Sequence, residues 1–368
     1  MISDESEEIL EGATPLIVPR KHSKQGPGRR DGRVFFNAQM AFNRDVSVMF
    51  FISIGPIKSA LDAMASTGAR AVRIANEARN DVEILANDRD REAVEYIERN
   101  IELNSVKNCS ASHCDLRQLL AQCVYDYVDL DPFGTPVPFV PASIQGCRRH
   151  GLLAITATDT ASLSGTFPRK SLRRYGAHSM RSPFGHETGL RIMIGHMARE
   201  AAKMDRGIKP MLCFYADHYF RLHLQLEEGG AKADESLSRL GYMDYDPESG
   251  ARSLTRSPNS PRSIGPLWGG PLHSTELIDG MSAGASLAQQ DRCKRYLLLW
   301  REELGVNAPF FFENDEIASA LKISPPPIAK IIEKLREVGN ASRTHFSPTA
   351  FKTDLPYDEI TRLVSEIA

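Results

Sequence analysis

The segment from Asp129 to Gly134, with the sequence DLDPFG, contains the residues of this chain best suited to chemistry on a nucleic-acid base. A base amine is a poor nucleophile because its lone pair is delocalised into the ring, so an enzyme must hold hydrogen-bond acceptors against its N–H groups. Asp131 and the Pro132 carbonyl offer those acceptors, and Phe133 can stack on an extruded base. The segment therefore predicts Asp131, Pro132 and Phe133 as catalytic residues acting on an exocyclic amine.

Residues for a nucleoside cofactor follow two predicted strands. The strand ending at Asp62 runs into small residues up to Gly68, and this single glycine does not satisfy the GxGxxG dinucleotide fingerprint. Asp88 closes the next strand about twenty residues further on, where a carboxylate can accept hydrogen bonds from ribose hydroxyls. Capping of the next helix is an alternative role for Asp88, and the two roles are compatible. Asp115 can accept a hydrogen bond from an adenine amine, and a helix cap is an alternative role for it.

Two arginines and one aromatic residue complete the candidate site. Arg44 and Arg70 lie beside the cofactor region in sequence, and arginine binds a carboxylate such as that of S-adenosylmethionine through a bidentate fork. Phe35, just before the first strand, is a second candidate for stacking on a base. A core position is the alternative interpretation of Phe35.

These residues need a parallel sheet to bring them together. From Lys58 to about Leu226, short apolar runs alternate with longer amphipathic segments, which predicts a doubly wound α/β domain whose strand ends bind ligands. Two further strands almost contiguous across Asp217 and His218 predict a hairpin at the sheet edge. The predicted strands are Lys58 to Asp62, Val82 to Ala86, Asn108 to His113, Tyr125 to Asp129, Leu152 to Thr156, Lys209 to Ala216 and Tyr219 to Leu226.

The rest of the chain predicts a smaller domain. Few apolar residues occur from Glu227 until the end of the segment near Pro271, so we place a domain boundary at its start and expect only its last residues to pack. Helices follow at Met281 to Glu303, Asp315 to Leu321 and Pro325 to Val338. A β-type stretch after them completes the outline of a winged helix, which either contacts nucleic acid or serves only as a packing module.

Composition limits the partners. The formal net charge is −2, so any potential that attracts nucleic acid must be local, and two basic patches are present. The six cysteines have no zinc spacing, which predicts free thiols and no metal site. No long apolar run is present, and the acidic start from Met1 to Glu11 lacks the basic-then-apolar order of a secretory signal. We therefore expect neither membrane insertion nor export, and a cytoplasmic location. The patches are Arg29, Arg30 and Arg33, and then Arg169, Lys170, Arg173, Arg174 and Arg181.

Several sequence blocks in order resemble the archaeal and eukaryotic tRNA guanine-26 N2-dimethyltransferases, over nearly the whole chain after about Val34. The loop reads Ala63-Met64-Ala65 where relatives tend to have a larger central residue, and the cysteine zinc cluster of some relatives is missing. The blocks are Phe42 to Asp45, Leu61 to Arg70, Asp129 to Gly134, Thr156 to Asp159, Asp217 to Arg221, Gly265 to Trp268 and Arg343 to Thr349.

The resemblance implies a class I S-adenosylmethionine methyltransferase with a Rossmann-like seven-stranded sheet and a smaller α+β C-terminal domain that contains the winged-helix-like segment. It implies successive transfer of two methyl groups to guanine 26 of tRNA, with no obligate protein partner evident. The domain boundaries that we predict are an N-terminal arm at 1–33, partly disordered, a methyltransferase domain at 34–226 and a tRNA-binding domain at 227–368. By motif match, Arg44, Arg70, Asp88, Asp115 and Leu116 would hold the cofactor, Asp131 would orient or deprotonate the amine, and Phe35 and Phe133 would flank the base.

Other functions remain compatible with parts of the sequence. Asp-Pro-aromatic turns serve any exocyclic amine, so adenine N6 or another RNA guanine is the nearest alternative substrate. A nucleic-acid-binding regulator with a degenerate α/β domain is an alternative from another class, although the intact Asp88 and Asp131 argue against it. The missing glycines disfavour a nicotinamide dehydrogenase.

Overall fold

The computed structural model describes residues 5–24, 34–78, 81–306 and 308–367. The chain forms two compact units, which we call the first unit (Met1–Thr158, Arg221–Glu228 and Asp279–Leu297) and the second unit (Asp159–Phe220, Gly229–Ile278 and Leu298–Ala368). The predicted arm residues Arg29, Arg30 and Arg33 lie outside the described residues.

Strands and α-helices alternate along most of the described chain. The strands are β1 Ser6–Glu11, β2 Thr14–Pro19, β3 Ser59–Asp62, β4 Glu83–Asp88, β5 Cys109–His113, β6 Tyr125–Leu130, β7 Cys147–Ala157, β8 Arg206–Ala216, β9 Tyr219–Glu228, β10 Leu240–Tyr245, β11 Arg252–Thr255, β12 Ile264–Trp268, β13 Phe312–Glu313, β14 Ala341–Arg343 and β15 Ala350–Thr353. The α-helices are α1 Ala41–Ser53, α2 Ala69–Arg73, α3 Arg91–Asn104, α4 Leu116–Gln122, α5 Val140–Gln145, α6 Thr160–Leu163, α7 Pro168–Tyr175, α8 Gly185–Ala202, α9 Gly230–Ser238, α10 Thr275–Gly280, α11 Gln290–Leu304, α12 Asn314–Leu321, α13 Ile328–Arg336 and α14 Tyr357–Ser365.

A seven-stranded sheet has the strand order β5-β4-β3-β6-β7-β9-β8. Strand β3 pairs in parallel with both β4 and β6, and the outer pairs β4/β5 and β6/β7 are parallel as well. The chain order reverses between β3 and β6, and such a switch point opens a crevice at the carboxyl ends of the strands. The predicted α/β class is confirmed, and the residues after β3, β4 and β6 meet at this edge.

Helix α3 shows how the sequence forms the layer over this sheet. Asp90 caps its N-terminus by accepting a hydrogen bond from the Glu92 N–H at 3.0 Å, and Ser105 ends it in the left-handed conformation. Its buried face includes Tyr96 and Ile97, and each such side chain contributes about 1.5 to 3 kcal/mol when fully buried. Ile97 also lies against Gly68, where an added Cβ would approach it to 3.1 Å. The packing of α3 therefore fixes the turn after β3.

An antiparallel hairpin of β1 and β2 occupies residues that the sequence analysis assigned to an N-terminal arm. The Asn100 side chain accepts a hydrogen bond from the Ile17 N–H at 2.6 Å and donates one to the Ile17 carbonyl at 3.0 Å. Asn104 also donates to the Pro15 carbonyl at 2.8 Å. Polar side chains of α3 thus form hydrogen bonds with backbone groups of β2. The apolar periodicity of the sequence does not predict such contacts.

The segment after Glu228 is more structured than its composition predicts. Helix α9 and a three-stranded sheet of order β11-β10-β12 lie between Gly230 and Trp268 in the second unit, where only the last residues were expected to pack. Asp244 ties this sheet to its loops, since it accepts hydrogen bonds from Asn259 at 2.6 Å and from Ser263. Side-chain hydrogen bonds replace part of the apolar core there. The helix predicted from Met281 to Glu303 begins later, at Gln290.

The end of the second unit has the predicted outline of a winged helix. Helices α12 and α13 are followed by β14 and β15, and the sheet has the order β13-β15-β14. The core of this module contains Ile317, Ile331, Leu335, Phe351 and Ile360, all fully buried. No helix among the described residues is both long and apolar enough to cross a membrane.

Candidate active site at the carboxyl edge of the sheet

The turn after β6 presents the predicted catalytic residues in three different environments. Asp131 has a side chain that is 21% exposed, Pro132 is buried, and Phe133 is 58% exposed. Gly134 holds the turn, since its N–H donates to Thr158 Oγ1 at 2.8 Å and its carbonyl accepts from the Thr158 N–H at 2.9 Å. The turn therefore has a fixed backbone, a partly open carboxylate and an open aromatic ring.

The two predicted base-flanking rings contact each other. The centroids of Phe35 and Phe133 are 4.7 Å apart, with their planes at 76°. This edge-to-face arrangement is a common aromatic pair, and a base inserted between two rings needs about twice the separation of one stacked pair. Phe35 is half-buried, and its N–H donates to Ser66 Oγ at 3.0 Å. The structure brings both rings to one place but closes the space between them.

Arg70 joins the two aspartates of the DLDPFG segment. Its Nη2 donates to Asp131 Oδ2, its Nε lies 3.6 Å from Asp129 Oδ2, and its Nη1 donates to Asn43 and Ser47 at 2.7 Å each. The guanidinium thus makes three hydrogen bonds and one longer ion-pair contact with these four side chains. Arg70, which the resemblance assigns to the cofactor, thus contacts the predicted catalytic carboxylate directly.

Asp129 lies behind Asp131 and is fully buried. Its carboxylate accepts two hydrogen bonds from Arg221 on β9, one of them at 2.9 Å, and one from the Tyr127 hydroxyl at 2.8 Å. Burial alone would raise the pKa of Asp129, but Arg221 and Arg70 outweigh it and hold that pKa below its usual range. The first aspartate of the motif is therefore a structural anion.

Asp62, at the end of β3, interacts with the same charged side chains, but its pKa is shifted in the opposite direction to that of Asp129. Burial raises the pKa of Asp62 to about 7, and the neighbouring Asp129 and Asp131 charges add to this effect, while Arg70 and Arg221 oppose it. We find no hydrogen bond to its carboxylate from any described residue. We call Asp62, Arg70, Asp129, Asp131 and Arg221 the edge cluster.

Asp88, at the end of β4, connects the cofactor side to the aromatic pair. Its Oδ2 accepts from the Ser66 N–H at 2.9 Å and its Oδ1 from the Asp90 N–H at 2.9 Å. Ser66 has a φ of 50° and donates its hydroxyl to the Phe35 carbonyl at 2.6 Å. Each carboxylate oxygen of Asp88 keeps a free lone pair for a hydroxyl donor. The cap of α3 is Asp90, so Asp88 serves the loop instead.

Asp115 and Leu116 lie at the start of α4. Asp115 caps this helix through the Arg117 N–H at 2.9 Å and pairs with the Arg117 side chain at 2.9 Å. The hydrogen bonds from the Arg117 side chain lower the pKa of Asp115 to about 2. Leu116 is 5% exposed. Asp115 therefore has the alternative role of a helix cap, and its side chain remains 40% exposed.

Arg44 pairs with a glutamate that is not part of the edge cluster. Its Nε and Nη2 donate to the two Glu11 carboxylate oxygens at 2.6 Å each, and Nη2 also donates to the Asn37 carbonyl at 3.0 Å. The bidentate fork expected for a cofactor carboxylate is thus occupied by a residue of the N-terminal hairpin. The assignment of Arg44 to the cofactor stays a prediction.

Sequence reasoning missed three members of this site. Arg221 was noted within a sequence block but given no role, and Asp62 was noted as a strand end. Asn43 also went unassigned, and its Nδ2 is buried without a hydrogen-bond partner among the described residues. The signal that points to Arg221 is an arginine flanked by apolar residues near the start of β9, since a charge buried among such residues must meet an opposite charge.

The chemistry of this edge fits S-adenosylmethionine. The edge cluster holds three carboxylates against two guanidiniums, so it has an excess negative charge when Asp62 is ionised, which suits a cationic ligand. Asp88 offers acceptors for ribose hydroxyls, and Asn43 offers an unpaired buried donor. Acceptors, donor and charge are all of the kinds that this ligand requires.

A second group of titratable residues lies within the second unit and has the composition of a metal site. The nearest ligand atoms of His273, Glu303 and His345 all lie within 4.8 Å of one another. His345 Nδ1 lies 2.7 Å from Glu303, and its Nε2 accepts from the Tyr215 N–H at 3.4 Å, so both ring nitrogens are engaged. Lys352 adds a positive charge 3.8 Å from Glu303. His345 thus has protein partners at both nitrogens, whereas both ring nitrogens of His273 are buried without a hydrogen-bond partner among the described residues.

Comparisons with known proteins agree with this geometry. A family model described as N2,N2-dimethylguanosine tRNA methyltransferase matches residues 13–365, so the match begins earlier than the resemblance after Val34 suggested. The tRNA (guanine(26)-N(2))-dimethyltransferase of Pyrococcus abyssi is 38% identical, over 97% of this chain and 98% of that protein. The protein of the same name from Saccharolobus islandicus is 36% identical, over 98% of this chain and 99% of that protein.

A solved structure extends the likeness to three dimensions. The structure of Trm1 from Pyrococcus horikoshii in complex with S-adenosyl-L-methionine has a TM-score of 0.90 and 35% sequence identity to this chain, and covers 97% of this chain and 99% of that one. Sequence and fold agree over nearly the full length. The chain therefore belongs to the N2,N2-dimethylguanosine tRNA methyltransferase family.

Proposed function

We propose that this protein transfers one and then a second methyl group from S-adenosylmethionine to the N2 amine of guanine 26 in tRNA. Full-length likeness to proteins named for this activity supports the function. The observation that carries the proposal is the position of Asp131, a partly exposed carboxylate at the switch point of the sheet beside an exposed aromatic ring. The proposal includes a cytoplasmic location, because tRNA is the substrate.

The residues of the β6 turn handle the base. Asp131 accepts a hydrogen bond from the guanine N2 amine, and the Pro132 carbonyl accepts the second one, which directs the nitrogen lone pair away from both acceptors. Phe133 stacks on the base, and Phe35 moves from its edge contact with Phe133 to admit it. After transfer the nitrogen carries an extra proton, and Asp131 is the acceptor at this position.

Arg70 and Asp129 position Asp131. Arg70 donates to Asp131 while Asn43 and Ser47 hold the other end of the guanidinium, so the carboxylate is fixed in one orientation. A fixed acceptor needs no reorganisation when charge develops during the reaction. S-adenosylmethionine supplies the electrophilic methyl group when it is bound. In this proposal Asp88 binds its ribose, Asp115 and Leu116 bind its adenine, and Arg70 lies near its carboxylate.

The proposal also assigns a function to each of two domains. Residues 34–226 form the methyltransferase domain and residues 227–368 contribute to tRNA binding. The N-terminal hairpin supports the first of these through Glu11, which holds Arg44 and Arg73 at 2.6 and 3.0 Å. The contact of Arg44 with Glu11 makes it a support for the cofactor site.

Methyl transfer to an unmodified tRNA transcript tests the function. The purified protein is incubated with the transcript and labelled S-adenosylmethionine, and the RNA is digested to nucleosides. We expect N2-methylguanosine first and N2,N2-dimethylguanosine later. A matched transcript in which adenine replaces guanine 26 is the control and should accept no label.

The products decide between the proposal and its alternatives. Label on N6-methyladenosine, or N2-methylguanosine that persists in the control transcript, would contradict guanine 26 as the target. Absence of transfer to any transcript, with S-adenosylmethionine bound, would contradict tRNA as the substrate.

A further inference from the structure

Helix α7 in the second unit carries a concentration of unpaired positive charge. Four of its eight residues are basic, and the helix contains no acidic residue. Arg169, Leu172 and Arg173 are exposed, and they share one face because they are three and four positions apart. Phe167, directly before the helix, is 54% exposed, and Leu172 is 56% exposed. The outer face therefore combines guanidinium groups with apolar surface.

The opposite face of α7 is firmly anchored. Arg174 pairs with Asp159 at 2.9 Å, and the Tyr175 hydroxyl donates to the same carboxylate at 2.6 Å. Arg199 on α8 donates to the Tyr175 carbonyl, and Gly176 ends the helix with a φ of 59°. A Cβ at Gly176 would come within 2.8 Å of Arg199. The exposed face of α7 is thus presented in a fixed orientation.

Three bases without an ion pair within five consecutive residues distinguish α7 from the paired basic positions of the second unit. Arg169, Lys170 and Arg173 make no ion pair with any residue in the described ranges. Some exposed bases elsewhere on the second unit pair with neighbouring glutamates instead. Examples are Lys203 with Glu200 at 2.7 Å, Lys232 with Glu235 at 2.9 Å, and Arg362 with Glu359 at 2.6 Å.

We propose that the exposed face of α7 binds the sugar-phosphate backbone of the tRNA substrate. Guanidinium groups pair with phosphate oxygens through charge-assisted hydrogen bonds, and the apolar Phe167 and Leu172 can cover sugar or base surface. A chain whose formal net charge is −2 attracts a polyanion only through such a local patch. This inference rests on the proposed function for the identity of the RNA.

A triple variant tests the surface. In Arg169→Gln/Lys170→Gln/Arg173→Gln, tRNA binding is measured by titration across a range of salt concentrations without turnover. We expect the tRNA Kd to rise by at least about tenfold near physiological salt, and the slope of log K against log salt to fall by about two, since each lost phosphate contact removes about 0.7 to 0.9. The Kd for S-adenosylmethionine should stay within about twofold of the wild-type value, because the variant changes no residue of the edge cluster and neither Asp88 nor Asp115.

The matched control is Lys203→Gln/Lys232→Gln/Arg362→Gln, which makes the same change in net charge at bases already paired with glutamate. Its tRNA Kd should stay within about twofold of the wild-type value. A second variant, Arg169→Lys/Arg173→Lys, keeps the charge and should keep the salt slope. Equal Kd values and salt slopes for the two triple variants would overturn the proposal, as would loss of tRNA binding in the charge-conserving variant.

The test separates this inference from the proposed function. A wild-type protein that methylates guanine 26 while the α7 triple variant binds tRNA normally would overturn only the surface. A wild-type protein that binds tRNA through α7 without methylating guanine 26 would support the surface and contradict the function.

Discussion

Two clusters of buried charge in the first unit have the same composition and different surroundings. The edge cluster contains Asp62, Asp129 and Asp131 with Arg70 and Arg221. A second set, which we call the hairpin cluster, contains three carboxylates and two arginines as well. Its members are Glu11, Asp45 and Glu77 with Arg44 and Arg73.

The difference lies in how the carboxylates are satisfied. In the hairpin cluster Asp45 accepts hydrogen bonds from Arg73 at 2.6 Å and from the Gln289 N–H at 2.7 Å, and Glu77 accepts one from Thr14 at 2.6 Å. Burial would raise the pKa of Glu11, but Arg44 and Arg73 outweigh it and lower that pKa. In the edge cluster burial raises the pKa of Asp62 to about 7. A fully satisfied cluster stabilises the fold, whereas an incompletely satisfied one at a strand end is suited to a ligand.

The largest expected effect is on chemistry, from the edge cluster. Asp131→Ala should lower kcat by about 10²- to 10⁴-fold, since it removes the acceptor for the amine proton. The Kd for S-adenosylmethionine should change by less than about threefold, because Arg70 keeps Asn43, Ser47 and Asp129 as partners. Single-turnover methylation and calorimetric titration measure the two quantities. Loss of cofactor binding in this variant would place Asp131 on the cofactor instead.

The next effect is on stability, from the hairpin cluster. Glu11→Gln leaves the buried Arg44 without its carboxylate, and breaking a buried pair in this way costs about 3 to 5 kcal/mol. The free energy of unfolding from denaturant titration measures this loss. Glu235→Gln, which breaks an exposed pair with Lys232, is the control and should leave the unfolding midpoint unchanged. Equal stability of the two variants would show that the hairpin cluster does not stabilise the fold.

The smallest expected effect is on pH dependence. The pKa of Asp62 is raised in the folded protein to about 7 from its ordinary value of 3.8, so the folded state binds the extra proton and stability falls as the pH rises between about 4 and about 7. The cationic cofactor favours the ionised form, so its affinity should increase by about tenfold from pH 6 to pH 8. The charged groups facing Asp62 are Asp129, Asp131, Arg70 and Arg221.

Calorimetric titration of the tRNA-free protein with S-adenosylmethionine at the two pH values measures this increase. Asp62→Asn is the control, since it cannot ionise and reports any titration of the ligand itself. The same pH dependence in the variant and the wild type would remove Asp62 from the explanation.

Much of this protein could be predicted from its sequence. The alternation of apolar runs predicted the parallel strands, and the end of each strand placed Asp62, Asp88 and Asp131 at one edge of the sheet. These predictions depend on periods of two and 3.6 residues and on the polarity of parallel strands, which are local properties. The order of the blocks also identified the family.

Tertiary structure alone decided the partners of these residues. Glu11 lies 33 positions from Arg44, and Arg221 lies 92 positions from Asp129, so no local pattern could pair them. The sequence analysis assigned Arg44 to the cofactor because an arginine side chain can bind any carboxylate in a bidentate manner. In the structure the carboxylate that Arg44 binds belongs to Glu11 on β1. The sequence determined which residues stand at the strand ends. Long-range packing decides which of these residues find hydrogen-bond and ion-pair partners within the protein and which remain available to a ligand. The reason is that a buried charge pairs with whichever partner the fold brings to it.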